Sequence, residues 1–224
     1  KRAIEDHFDI SYELEHQIKG TSKEHYLTEI RSVITKCTFS YTRQIEMKGL
    51  GHAILCGETL IGDQPFAVLL ADDLCDAPSK GVLAQMVELY KKYGCSIVAI
   101  EEVPKEETNK YGVIAGNEIE PGIYMVKDMV EKPEPEVAPS NLAIIGRYIL
   151  TPDIFNIIRE TKPGKGGEIQ ITDALLTQAK NGMVLAFKFD GQRFDCGSID
   201  GFVKATNYFY NKSTKQEEEK KPKK

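Results

Sequence analysis

Basic residues are the minority here: 29 Lys plus Arg against 34 Asp plus Glu give a net charge of −5 over 224 residues. Residues 212–224 hold six Lys and three Glu, so residues 1–211 alone carry −8. An acidic body of this kind excludes a broad nucleic-acid or anionic-membrane surface and leaves room for a local phosphate site. Long apolar runs are missing too. None approaches the roughly 20 residues that cross a bilayer, so no membrane partner is expected. Cysteine is sparse: Cys37, Cys56, Cys75, Cys95 and Cys196 are odd in number, scattered and never spaced C-x-x-C. That pattern points to a reduced, cytoplasmic compartment and away from a zinc site. The short catalytic signatures are also absent. Gly49-x-Gly51 and Gly164-x-Gly166 both lack the third glycine of G-x-G-x-x-G. No Walker A loop, H-E-x-x-H or G-x-S-x-G occurs.

What is present is ordinary globular composition, 41% hydrophobic and 28% charged, enough for one sizeable domain. Residues 2–36 space their apolar positions for helices, with a break at Gly20-Thr21-Ser22. Residues 38–44 turn β-like, and a helix is expected over 53–60. Phe66-Ala67-Val68-Leu69-Leu70 is a continuous apolar run, which suits a strand buried on both faces of a parallel sheet. A helical stripe from Val82 to Tyr93, closed by Gly94, leads into a second buried strand over 96–100. Strand, helix and strand make a βαβ unit and an α/β class. Further strands are expected over 111–115, 123–131, 141–150 and 183–189, and helices over 153–161, 171–181 and 199–210. Residues 1–211 read as one domain, followed by a disordered Lys/Glu tail over 212–224.

Four places could carry chemistry. Asp72-Asp73 follows an apolar strand, where open α/β sheets gather ligands and carboxylates can hold Mg²⁺; a plain strand-ending turn would look the same. Asp195, in Phe194-Asp195-Cys196-Gly197, could share one divalent ion with Asp72, or be an ordinary turn residue beside a glycine. Glu131-Lys132-Pro133 offers a carboxylate for sugar hydroxyls and an ammonium for phosphate. Adjacent strand residues point to opposite faces, so both reach one ligand only if the backbone is irregular there. A solvated surface pair is the simpler reading of Glu-Lys. Gln44, whose amide both donates and accepts, could read a pyrimidine edge, and Gly49 and Gly51 let backbone approach a flat base. The alternative is an ordinary loop entering a helix.

Taken in order, the segments are far more specific. Gly49-Leu50-Gly51-His52-Ala53, Phe66-Ala67-Val68-Leu69-Leu70-Ala71-Asp72-Asp73, Tyr111-Gly112-Val113 and Val130-Glu131-Lys132-Pro133 are followed by Gly166-Gly167-Glu168-Ile169-Gln170-Ile171-Thr172-Asp173 and Phe194-Asp195-Cys196-Gly197. The series closely resembles the bacterial UTP–glucose-1-phosphate uridylyltransferases, over nearly all of residues 1–210. The resemblance implies a Rossmann-like nucleotidyltransferase fold with a mixed, mostly parallel sheet flanked by helices. It implies Mg²⁺-dependent conversion of UTP and glucose 1-phosphate to UDP-glucose and pyrophosphate. It places Gln44, Gly49 and Gly51 at the uracil, Asp72 and Asp195 at the Mg²⁺, and Gly112, Glu131 and Asp73 at the sugar. Lys132 falls at the sugar phosphate, and a homodimer or homotetramer is implied.

Two departures qualify the match. Ile199 stands where many members carry Lys. The Gly-rich G-x-G-T-R loop and P-K-E-M segment with which the family opens are not in these residues. The expectation is therefore of an N-terminally truncated chain, inactive by itself and marginally stable or aggregation-prone. Related readings are a transferase using dTTP or another sugar 1-phosphate, and a non-catalytic nucleotide-sugar binding module.

Overall fold

A computed structural model describes residues 2–220. Lys1 and residues 221–224, with the expected truncation point and the end of the Lys/Glu tail, lie outside the described residues. The chain divides into two compact units, Lys1–Ile45 and Glu46–Lys224, where the sequence reads as one domain over 1–211.

The first unit holds α1 (Arg2–His7), α2 (Tyr12–Ile18) and α3 (Glu24–Ile34). Thr21 closes the break before α3 by accepting from the Lys23 amide through its hydroxyl at 3.2 Å. An ion pair joins Arg31 to Glu15, and the Phe8 and Phe39 rings stack 4.6 Å apart. Residues 38–44, β-like in pattern, form no strand.

The second unit is built on a six-stranded sheet in the order β1-β6-β3-β7-β5-β4. The strands are β1 (Phe66–Leu69), β3 (Ser96–Glu102), β4 (Gly112–Glu120), β5 (Ile123–Glu131), β6 (Leu142–Leu150) and β7 (Val184–Lys188). Strands β1, β3, β7 and β4 run one way and β6 and β5 the other. The sheet is mixed, as the sequence implies, but most ladders are antiparallel and, among the described residues, only β3–β7 pairs in parallel. The two reversed strands lie between the others and convert their shared direction into antiparallel contacts.

Alternation along the strands sends side chains to two cores. Val98, Ile100, Ile144, Tyr148, Leu150, Val184 and Ala186 face one way, packing with Ile54 of α4 (Leu50–Leu55), Ile154 and Ile158 of α7 (Ile154–Glu160), and Ile171 and Leu175 of α8 (Ile171–Asn181). Ile97, Ala99, Ile145, Ile149 and Leu185 face the other way, against Val82 and Met86 of α6 (Val82–Tyr93). Strand β1 differs from expectation. It pairs only with β6 among the described residues, and its burial alternates, leaving Leu69 52% exposed. A continuous apolar run does not distinguish a central strand from an edge strand.

A short α5 (Glu58–Ile61) follows α4, so the expected helix over 53–60 starts earlier, at Leu50, and breaks at Gly57. A second, two-stranded sheet pairs β2 (Asp73–Asp76) with β8 (Gln192–Asp195). Beyond it runs α9 (Ile199–Lys220), so residues 212–220, expected to be disordered, are helical. Lys and Glu are good helix formers, and the helix is fastened past Tyr210. Lys212 Nζ donates to Asp76 Oδ1 at 2.6 Å, and the Tyr208 hydroxyl donates to Asp76 Oδ2 at 2.7 Å.

Candidate active site

The β2–β8 ladder sets the acidic end of the site. Its register puts Asp73 opposite Asp195, and the Cys196 amide donates to the Asp72 carbonyl at 2.7 Å. Both outer carboxylates then reach the same small volume beside Gly197. A Cβ built there would lie 3.1 Å from Asp195 Oδ1 and 3.5 Å from Asp72 Oδ2. This pair suits a hard cation such as Mg²⁺. The described residues form no cluster of three or more His, Cys, Asp or Glu able to hold a metal by themselves. One or two carboxylates completed by phosphate and water is the arrangement Mg²⁺ prefers.

Behind them sits Arg193, which sequence reasoning does not single out. Its side chain is 7% exposed and pairs with Asp73, with Glu101 at 2.6 Å and with Asp195 at 3.4 Å. Its guanidinium carbon lies 5.0 Å from the centre of the Tyr111 ring. The Tyr111 hydroxyl in turn donates to Asp195 Oδ2 at 3.1 Å. Burial works against the Arg193 charge, but hydrogen bonds to Asp73, Tyr111 and Glu101 outweigh it and hold the group above its ordinary range. Glu101 moves the opposite way for an acid partnered by a cation: burial lifts it above the usual carboxylate range, against the pull of Arg193. Three carboxylates thus surround the Arg193 guanidinium.

Asp73 is buried, and both of its oxygens are engaged, one by Arg193 and the other by the Gly146 amide at 2.8 Å. Gly146 is required there, since a Cβ would run into that carboxylate and into Leu70. Asp73, expected at the sugar, lines the same cavity as Asp72, and its carboxylate also ties β2 to β6 and β8.

The opposite wall comes from the end of β5. Glu131 Oε2 accepts from the Thr172 hydroxyl at 2.6 Å, and Lys132 Nζ lies 3.8 Å from Glu131 Oε1. The irregular backbone that the sequence argument demands is present. Lys132 has φ 47°, the one positive value outside glycine among the described residues, and the turn brings both neighbours to one cavity. Gly112, opposite Glu131 in the β4–β5 ladder, leaves room that a Cβ would take from Thr172 Oγ1 at 2.9 Å. Asp72, Gly112, Glu131, Lys132 and Asp195 all line this cavity of about 330 Å³, with Arg193 and Tyr111 in its wall.

The chain matches the nucleotidyl transferase family model over residues 8–212. It is 70% identical over 211 residues to a UTP–glucose-1-phosphate uridylyltransferase of Pseudomonas aeruginosa, covering 94% of this chain and 76% of that one. The chain belongs to the UTP–glucose-1-phosphate uridylyltransferases within the nucleotidyl transferase family. Its fold matches that of a UDP-glucose pyrophosphorylase crystallised with UDP-glucose, at 61% identity and a TM-score of 0.88, over 95% of this chain and 78% of the other. A UTP-bound UDP-glucose pyrophosphorylase from Acinetobacter baumannii matches at 34% identity and a TM-score of 0.82, over 93% and 73%.

For this uridylyltransferase-family chain, the glycine pair also has a packing reason. A Cβ on Gly49 would lie 2.8 Å from Glu168 Cβ and 2.9 Å from the Ile169 carbonyl oxygen, and one on Gly51 2.7 Å from that oxygen. The Gly51 amide donates to the Ile169 carbonyl at 2.9 Å and the Ile169 amide to the Lys48 carbonyl at 2.8 Å. The glycines admit the chain's own backbone, and between them Leu50 lines the cavity. Gln44, partly buried, belongs to the first unit. Thr172, Gln170 and Glu168 join the wall from a segment that carries the family resemblance. The signal for Arg193 was its place two residues before Asp195, which puts both on one face of β8.

Proposed function

We propose that this site transfers a uridylyl group from UTP to glucose 1-phosphate, giving UDP-glucose and releasing pyrophosphate. The observation that carries the reading is the convergence of Asp72, Asp195, Glu131 and Lys132 on one cavity. The Lys132 ammonium holds the sugar phosphate, whose oxygen attacks the α-phosphorus of UTP. Glu131, oriented by Thr172, accepts from sugar hydroxyls, and Gly112 leaves the clearance the ring needs. Gln44 and the backbone at Gly49 and Gly51 recognise the uracil. Asp72 and Asp195 would hold Mg²⁺, which when bound supplies charge neutralisation to the phosphates. No side-chain nucleophile is needed, since positioning and electrostatics carry phosphoryl-type transfer.

No helix among the described residues is long and apolar enough to cross a membrane. The five free cysteines support a reducing, cytoplasmic setting. Exposed Ile199, Phe202 and Val203 on α9 support assembly of identical copies, which sedimentation would read directly. Strand β1 keeps one edge without a ladder partner among the described residues, which adds to the case for association.

The test is Mg²⁺-dependent pyrophosphate release in the full protein, with UTP or dTTP and with glucose 1-phosphate or other sugar 1-phosphates. Turnover preferring UTP and glucose 1-phosphate supports the assignment. A preference for dTTP or another sugar moves it within the family, and binding of UDP-glucose without turnover makes the protein a binding module.

A further inference from the structure

The geometry points to Lys165 as a positioning residue: we propose that its ammonium latches Lys132 in the left-handed conformation and so aims the Lys132 side chain into the cavity. The functional part of this inference rests on the assignment of Lys132 to the sugar phosphate.

A lysine at φ 47° is in a region where L side chains are strained, and here it also precedes a proline. Such a conformation persists only when its surroundings over-determine it. Both backbone polar groups of Lys132 are held. Its amide donates to the Tyr111 carbonyl at 2.9 Å, and its carbonyl accepts from Lys165 Nζ at 2.8 Å. Pro133 on the far side is buried. With ordinary strand geometry Glu131 and Lys132 would face opposite sides of the sheet; with the flip they line the same cavity.

Lys165 is itself anchored. Its carbonyl accepts from Nε2 of the buried Gln170 at 3.1 Å. The loop around it closes through Gly164 N to the Glu168 carbonyl at 2.8 Å and Gly167 N to the Gly164 carbonyl at 3.0 Å. Lys165 does not line the cavity, so its influence passes through the Lys132 peptide. A charged donor on that carbonyl is a stronger partner than the water that would replace it.

The test uses the full protein with Lys165→Met, Lys165→Arg, Lys132→Ala and the Lys132→Ala/Lys165→Met double variant. Loss of the charge-assisted bond should raise KM for glucose 1-phosphate about fivefold to tenfold in Lys165→Met, with kcat and KM for UTP little changed. Lys165→Arg, which still donates, should restore most of it. In the Lys132→Ala background Lys165→Met should change KM no further. Hydrogen exchange at the Lys132 amide should quicken about tenfold in Lys165→Met and hold in Lys165→Arg. The exchange arm needs no substrate and reads the latch even if the protein acts on another sugar phosphate. Unchanged exchange in Lys165→Met overturns the proposal. So does a KM effect that adds fully to that of Lys132→Ala, which would put Lys165 on the substrate itself.

Discussion

Arg193 is the position where a single substitution should be most informative. Replacing it with Met keeps length and apolar stem but leaves Asp73, whose side chain is 8% exposed, facing an apolar group. Removing one partner of a buried ion pair costs about 3–5 kcal/mol, because an uncompensated charge stays behind. The Gly146 amide remains on Asp73, so the lower end, about 3 kcal/mol, is the expected loss. For a chain of this size that lowers Tm by roughly 6–12 °C. The pH dependence has a definite sign. Burial holds Glu101 above the usual carboxylate range, and Arg193 pulls it back. Without Arg193 it rises further, so the folded state binds a proton more readily than the unfolded chain. The deficit should then be largest above that raised range and shrink as pH falls through it. Thermal melts of the full protein at several pH values measure both effects, and the Asp73→Asn/Arg193→Met pair closes the argument. Neutralising Asp73 removes the stranded charge, so the double variant should recover part of the loss. A loss below about 1 kcal/mol, or a double variant that merely adds the two losses, would refute the charge-hub account.

Asp72→Asn and Asp195→Asn should each lower turnover by about two to three orders of magnitude with unchanged circular dichroism; normal Mg²⁺-dependent turnover in either removes that residue from the cation site. Gly51→Ala places a methyl 2.7 Å from the Ile169 carbonyl oxygen, so urea unfolding should show a loss of about 1–3 kcal/mol. Lys212→Met should lower Tm at neutral pH, with a sign that follows from Asp76. Hydrogen bonds from Lys212 and Tyr208 hold the Asp76 carboxyl below its usual range, so this stabilisation is present above the unfolded-state value and fades as pH falls through the depressed one. The Tm gap between variant and parent should therefore close in acid, and a gap that widens there rejects the pairing.

How much was legible follows the physics of each element. The helix ending at Gly94 carries strong periodicity and strand β3 an unbroken apolar run, and both elements emerge as expected. The burial of β1 was not legible, because an unbroken apolar run says nothing about how many neighbours a strand has. Strand β2 was hidden for a different reason. Asp73-Leu74-Cys75-Asp76 has little β propensity, and its pairing with β8 spans more than a hundred residues. That pairing brings Asp72 and Asp195 together, so their proximity could be read only through resemblance. At Glu131-Lys132-Pro133 local reasoning went further: alternation forbids two adjacent side chains from sharing a ligand, and the left-handed Lys132 is how the chain meets that demand.

The backbone stitching of Lys48 and Gly51 to Ile169 bears on which insertions and deletions the chain can absorb. Two hydrogen bonds with no side chain in the gap fix the register between these segments, so one residue added or removed in either would shear both bonds and pull Leu50 out of the cavity wall. A few positions earlier, Gly166 and Gly167 both sit at positive φ with open space around them, and an added residue between them would bulge outward. Length variation among functional relatives should therefore be confined to that turn, with Gly164, Lys165 and Glu168 on either side held in place.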